Sequence, residues 1–256
     1  MTNNNDAAIK FINVSKTFGG PGGVHVLDNV NFEIGDREFV SILGPSGCGK
    51  STALRILCGL IPWDEGDVSV AGHRVHGPPD EAGIVFQTAN LLPWSNVVSN
   101  LRLGIEIHKD VDENTDQKLK DMVEMLALTG FEEAYPHELS GGMRQRVAIG
   151  QALMRNPRVL LMDEPFGALD ALTRDRLNVE LLRIWQAKQK TVVMVTHSIP
   201  ESIFLSDRVL VMSERPAQIL EDIHIDLPRP RDPRTTREDP TFGNYVVQLS
   251  ELMGVM

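Results

Sequence analysis

The sequence predicts an α/β protein: a mostly parallel sheet covered by helices, with an N-terminal antiparallel β subdomain and an inserted helical subdomain. Three observations predict it. Short apolar runs at Phe39 to Leu43, Val159 to Met162, Thr191 to Thr196 and Arg208 to Met212 read as buried parallel strands. The first three run into Gly44, Asp163 and His197, so chemistry-bearing residues fall at strand ends, where open α/β sheets bind ligands. Residues 88 to about 157 carry helical periodicity and lack strand signals.

Each element follows from local chemistry. Residues 1–7 are expected to be disordered. Residues 8–43 read as strands, because Ile9, Phe11 and Val14, then Val24, Val26, Val30 and Phe32, are β-branched or aromatic runs broken by turn residues. Gly19-Gly20-Pro21-Gly22-Gly23 reads as a loop. A helix is expected from about Lys50 to Cys58, stopped by Gly59. Met122, Val123, Met125, Leu126 and Leu128 mark a helix in the insertion, and Pro157 ends a later one near Asn156. Leu177, Leu181, Ile184 and Trp185 form one face of a helix around Arg176 to Ala187. The main domain is expected to span 8–213. In the 214–256 tail, Pro228-Arg229-Pro230-Arg231-Asp232-Pro233-Arg234 reads as a solvated, extended linker rather than a contact patch. Phe242, Tyr245, Val246, Leu249 and Leu252 then line one face of a helix that should dock on something.

The 256 residues, 42% of them hydrophobic, suffice for one large domain with a subdomain. No apolar run reaches the ~18–20 residues of a membrane-spanning helix. The first residues lack a basic start followed by an apolar core, so no secretory signal is expected and the chain should stay in the cytoplasm. A net charge of −10 argues against general affinity for nucleic acid. Two cysteines imply no disulfide framework.

Gly44-Pro45-Ser46-Gly47-Cys48-Gly49-Lys50-Ser51 fits G-x-x-x-x-G-K-[ST] between an expected strand and an expected helix. The glycines let backbone N–H groups approach phosphate oxygens, and the helix start adds partial positive charge. Lys50 should reach the β- and γ-phosphates of ATP and Ser51 should bind Mg²⁺. A bulky adduct on the Cys48 thiol should collide with phosphate. Asp163-Glu164 follows a strand of apolar residues, and buried adjacent carboxylates need a metal or a proton. Asp163 then holds the Mg²⁺ shell and Glu164 is free to act as general base. Ser140-Gly141-Gly142 opens a helix and presents a hydroxyl and free N–H groups, a second anion site.

The phosphate loop, Leu139-Ser140-Gly141-Gly142-Met143-Arg144-Gln145-Arg146 and Leu161-Met162-Asp163-Glu164-Pro165, in this order, resemble the ATP-binding cassette (ABC) ATPases over roughly residues 8 to 213. The resemblance implies a P-loop NTPase fold with a RecA-like sheet. It implies that Thr52 donates to an α-phosphate oxygen, that His197 contacts the γ-phosphate and that Gln87 senses Mg²⁺ and the attacking water. Phe18 would stack on adenine, with a core phenylalanine as the competing reading, and Asp170 would communicate across a dimer. Ser140, Gly141 and Gly142 would bind the γ-phosphate held by a second copy, so two chains close head to tail over two ATP molecules.

Phe166 to Arg174 is similar to the importer branch, and Leu91-Leu92-Pro93-Trp94 and the Pro-Arg-Pro-Arg tail are similar to its nitrate, sulfonate and taurine group. That implies two membrane permease subunits, a periplasmic solute-binding protein and a peripheral place on the cytoplasmic face of the membrane. Leu91, Leu92 and Trp94 would receive the permease or pack in the subdomain core. Met143, Gln151 and Ser198 depart from the commoner family residues without removing a phosphate-binding group. An exporter or lipid-trafficking ATPase, or a non-transport ABC protein, are the alternative readings.

Overall fold

The computed structural model describes residues 7–20, 22–107, 111–167 and 169–255. The expected disorder of residues 1–6 and the loop residue Pro21 lie outside these, whereas Ala7 already begins the first strand. In chain order the elements are β1 (Ala7–Phe18), β2 (Val24–Gly35), β3 (Phe39–Leu43), α1 (Lys50–Leu57), β4 (Glu65–Val70), β5 (His73–Arg74), β6 (Ala82–Val85), α2 (Val97–Glu106) and α3 (Thr115–Met125). There follow α4 (Gly141–Met154), β7 (Val159–Asp163), α5 (Ala171–Lys188), β8 (Thr191–Thr196), α6 (Ile199–Leu205), β9 (Arg208–Met212), β10 (Ile219–His224), α7 (Pro233–Glu238) and α8 (Pro240–Leu252).

A six-stranded sheet has the order β10-β9-β3-β8-β7-β6 and is parallel except for the edge pair β9–β10. Its inner strands are buried on both faces, which is why they read as continuous apolar runs. Alternation divides their side chains between two cores. Leu43, Leu160, Met162 and Met194 join the helices, including α2, α4, α5 and α8. Ile42, Leu161, Val193 and Val195 face the opposite way, toward α1 and the second sheet. That second sheet, β2-β1-β4-β5, is antiparallel throughout. It extends past residue 43, because β4 and β5 return to pair beside β1.

The inserted helices pack tightly. A Cβ on Gly104 of α2 would strike the Gln151 carbonyl of α4, and one on Gly150 of α4 would lie 2.7 Å from Leu101 Cδ2 of α2. Gln151 also donates to the Asn100 carbonyl at 3.1 Å. Asn100 is fully buried and donates to the carbonyls of Leu92, Ser95 and Asn96, fixing the loop before α2.

The tail corrects the solvated-linker expectation. Arg231 is buried and donates to the carbonyls of Ile203, Phe204 and Ser206 at 2.7–3.1 Å. Burial, reinforced by nearby Arg229, pushes its pKa down to about 10, which still leaves it charged at neutral pH. Arg229 pairs with Asp207, donates to the Leu205 carbonyl at 2.7 Å and stacks on Trp185 at 4.2 Å. The two guanidiniums thus satisfy the free carbonyls at the C-terminus of α6, where cations are favoured by the helix dipole. The tail also adds β10 to the sheet edge, and α8 packs on α6, with Phe242 and Leu249 buried.

Helix α6 also holds the buried Glu201, whose carboxylate accepts from the Thr196 hydroxyl while its other oxygen has no partner. Burial raises its pKa above the ordinary glutamate range. A carboxyl that titrates higher folded than unfolded supports stability fully below the ordinary value and loses that contribution as pH rises through the raised one.

Two predictions follow from this packing. Gly104→Ala should destabilise the chain by about 1–3 kcal/mol in denaturant unfolding, because helix backbones must separate. Glu201→Gln should unfold at higher temperature than the unchanged chain at about pH 8, with a smaller difference at about pH 5. Equal differences at both pH values would remove the titration argument.

Candidate functional site

The site is assembled where β3, β7 and β8 end. The phosphate loop leaves β3 and turns into α1, with positive φ at Gly47 (76°) and at the N-cap Gly49 (134°). A side chain at Gly49 would also press on Val26 and Leu27, both 3.0 Å from a Cβ there. The first turn of α1 carries no acidic residue, so its N–H groups are left for an anion. Lys50 is buried and folds back onto the loop, donating from Nζ to the Gly44 and Pro45 carbonyls at 2.9 and 2.8 Å.

The adjacent carboxylates diverge. Asp163 accepts from the Ser51 hydroxyl at 2.7 Å. Glu164 has φ 44°, a left-handed conformation rare for a non-glycine residue. That turn aims its carboxylate away from Asp163. Glu164 Oε2 lies 3.2 Å from His197 Nδ1 and 3.5 Å from Gln87 Nε2. A Cβ at Gly167 would lie 3.3 Å from both Gln87 Nε2 and Glu164 Oε2, so a small residue there keeps the loop close. Gln87 and His197, far apart in sequence, therefore both meet the Glu164 carboxylate.

A cavity of about 370 Å³ opens beside them, lined by Phe18, Val24, Val26, Ser46, Gly47, Gly49, Lys50, Ser51, Thr52, Glu164 and Arg215. Phe18 is 42% exposed, which removes the core-phenylalanine reading, and Lys16 Nζ stands 5.5 Å from its ring centroid. The Cys48 thiol is the exception to the expected layout. Cys48 is 2% exposed and packs in the core beneath the loop, so an adduct would first have to open the loop rather than collide with bound phosphate.

Ser140, Gly141 and Gly142 are not among the cavity's lining residues. Ser140 caps α4 and accepts from Met143 N at 3.2 Å. Gly141 and Gly142 allow close packing, since Cβ atoms there would lie 3.0 Å from Leu169 and 3.1 Å from Thr173. Asp170 caps α5, accepting from Thr173 N at 3.1 Å; hydrogen bonding with Thr173 lowers its pKa. Ala168, before it, lies outside the described residues. One link escaped sequence reasoning: buried Gln145 of α4 donates to the Phe86 carbonyl at 3.2 Å, next to Gln87. Leu91 packs against the helical core, whereas Trp94 is 73% exposed.

The family model for ABC transporters matches residues 27–167. The chain is 49% identical to an uncharacterised ABC transporter ATP-binding protein of Methanocaldococcus jannaschii, over 94% of this chain and 90% of that protein. It is 44% identical to the aliphatic sulfonates import ATP-binding protein SsuB of Bacillus cereus, over 91% of both. It is 43% identical to the taurine import ATP-binding protein TauB of Rhizobium johnstonii, over 90% of this chain and 89% of that one. A solved dimeric ATP-binding cassette in a post-hydrolysis state, bound to ADP and phosphate, superposes with a TM-score of 0.73 at 32% identity, covering 86% of this chain and all of that one. The chain therefore belongs to the ABC transporter family and is an ATP-hydrolysing cassette with the P-loop NTPase fold.

Proposed function

We propose that this chain is the motor subunit of an importer, coupling ATP hydrolysis in a head-to-tail dimer to uptake of a small solute of the sulfonate or taurine type through two permease subunits. The observation that carries the dimer is the position of the signature. Ser140 caps a 14-residue helix with N–H groups suited to an anion, yet it does not line the cavity of its own phosphate loop. A second copy supplies the anion. The importer and solute class are supported by the names of the sulfonate and taurine relatives and by near full-length alignment with them. Among the described residues no helix is long and apolar enough to cross a membrane. The chain would therefore sit at the cytoplasmic face through its permease, with a solute-binding protein on the far side, and exposed Trp94 is offered for the permease contact.

Within the site, Lys50 exchanges its two loop carbonyls for β- and γ-phosphate oxygens, Thr52 donates to the α-phosphate and Phe18 stacks on adenine. Ser51 and Asp163 would hold Mg²⁺: both offer hard oxygens, they already touch, and Mg²⁺ takes few protein ligands when phosphates complete its shell. When bound, the ion neutralises charge on the β- and γ-phosphates. Glu164 accepts the proton of the attacking water, Gln87 helps orient that water and His197 steadies the γ-phosphate. Asp170 at the start of α5 faces the second copy.

Glu164→Gln should bind ATP and elute as a dimer in its presence, while ATP turnover falls by about 10²–10⁴-fold. Near-normal turnover would overturn the assignment. Mixing Lys50→Ala chains with Ser140→Arg chains should restore ATPase activity absent from either alone, because one composite site is then intact. Reconstitution with the co-purified permease and binding protein should give ATP-dependent uptake of taurine or an alkanesulfonate.

A further inference from the structure

The cavity is lined by a second cation besides Lys50. Arg215 lies on the segment between β9 and β10, and that segment is pinned at both ends. Ser213 N donates to the Gln218 carbonyl and Gln218 N to the Ser213 hydroxyl, each at 3.0 Å. Ala217 N donates to the Val26 carbonyl at 2.9 Å, Asp28 N donates to the Ala217 carbonyl at 3.0 Å, and the Gln218 amide reaches Asp28 at 2.7 Å. At the other end, the Met212 carbonyl abuts Gly44, 3.0 Å from where a Cβ would stand. The closed turn therefore fixes the Arg215 backbone beside the phosphate loop.

Its guanidinium points along that loop. A Cβ built on Gly47 would lie 3.8 Å from Arg215 Nη2, and Arg215 lines the cavity together with Ser46, Gly47 and Lys50. The other side chains of the cavity include one cation, Lys50, which is bonded to loop carbonyls, and one anion, Glu164, which faces His197 and Gln87. Among the described residues Arg215 has neither a carboxylate partner nor a hydrogen bond. An unpaired planar guanidinium beside backbone that cradles phosphate matches the bidentate geometry of a phosphate oxyanion.

We propose that Arg215 is a further nucleotide-binding residue, pairing with a phosphate of the bound adenine nucleotide from outside the phosphate loop. The assignment rests on the reading that this cavity takes ATP. Because Arg215 holds nothing together without nucleotide, its loss should weaken binding and leave folding unchanged.

The test is calorimetric titration of ADP into the unchanged chain and into Arg215→Gln, Arg215→Lys and Lys50→Ala, with thermal unfolding of each without nucleotide. Arg215→Gln should weaken ADP binding about five- to tenfold, Arg215→Lys should recover only the part of that loss that charge supplies without the bidentate fork, and both should unfold at the unchanged temperature. Unchanged affinity in Arg215→Gln beside a loss in Lys50→Ala would overturn the proposal alone. Normal binding in both variants would instead overturn the reading of the cavity. A loss as large in Arg215→Lys as in Arg215→Gln would replace phosphate pairing with shape or stacking. A lowered unfolding temperature in Arg215→Gln would make the residue structural.

Discussion

Two neighbouring carboxylates at the end of a strand buried on both faces set the terms for the rest of this molecule. Asp163 is buried and Glu164 is partly so, and leaving such a charge unpaired costs free energy. The chain meets that constraint by splitting the pair. Asp163 turns to the Ser51 hydroxyl at the start of α1, while the left-handed backbone of Glu164 swings its carboxylate to His197 and Gln87. Each partner arrives from the end of a different parallel strand, so the sheet order β3-β8-β7-β6 is what makes the constellation possible. A strained dihedral and a tight phosphate loop persist because the surrounding strands leave them no alternative.

His197 has its own support. It lies between β8 and α6, and the far end of α6 is closed by Arg229 and Arg231 from the tail. Five carbonyl and carboxylate groups that would otherwise sit under-satisfied near the sheet edge are gathered by two side chains. The tail is thereby part of the catalytic half of the fold, and at its start Arg215 also borders the phosphate loop. The Thr196–Glu201 hydrogen bond does similar work at the near end of α6, anchoring the residue that precedes His197.

The sequence disclosed what is encoded locally. Strands β3, β7 and β8 were readable because burial on both faces leaves uninterrupted apolar runs, and the phosphate loop because its glycines and lysine are contiguous. β6, with the sequence Ala-Gly-Ile-Val, was not, since it is short, carries a glycine and is recognised only by pairing with β7. β10 alternates weakly and gains its identity as an edge strand from β9. Arg229 and Arg231 looked solvated because their partners lie 22 to 28 residues upstream and are mostly backbone carbonyls, which leave no compositional trace. The place of Arg215 and the Gln145–Phe86 bond were hidden for the same reason: each is defined by what a distant segment places beside it.

The near contact of α2 with α4 through Gly104 and Gly150 has a mechanical consequence. Where Gly104 brings α2 onto the α4 backbone and Gly150 receives the Leu101 side chain, the two helices resist sliding past each other and form one stiff plank. Its attachments to the sheet are the segments after β6 and before β7, and the Gln145–Phe86 bond ties the plank to the first of them. Ser140, at the start of α4, and the backbone next to Gln87 are thereby joined through one helix. A displacement of either end of α4 would therefore be felt at the other, because two missing side chains lock that helix to α2.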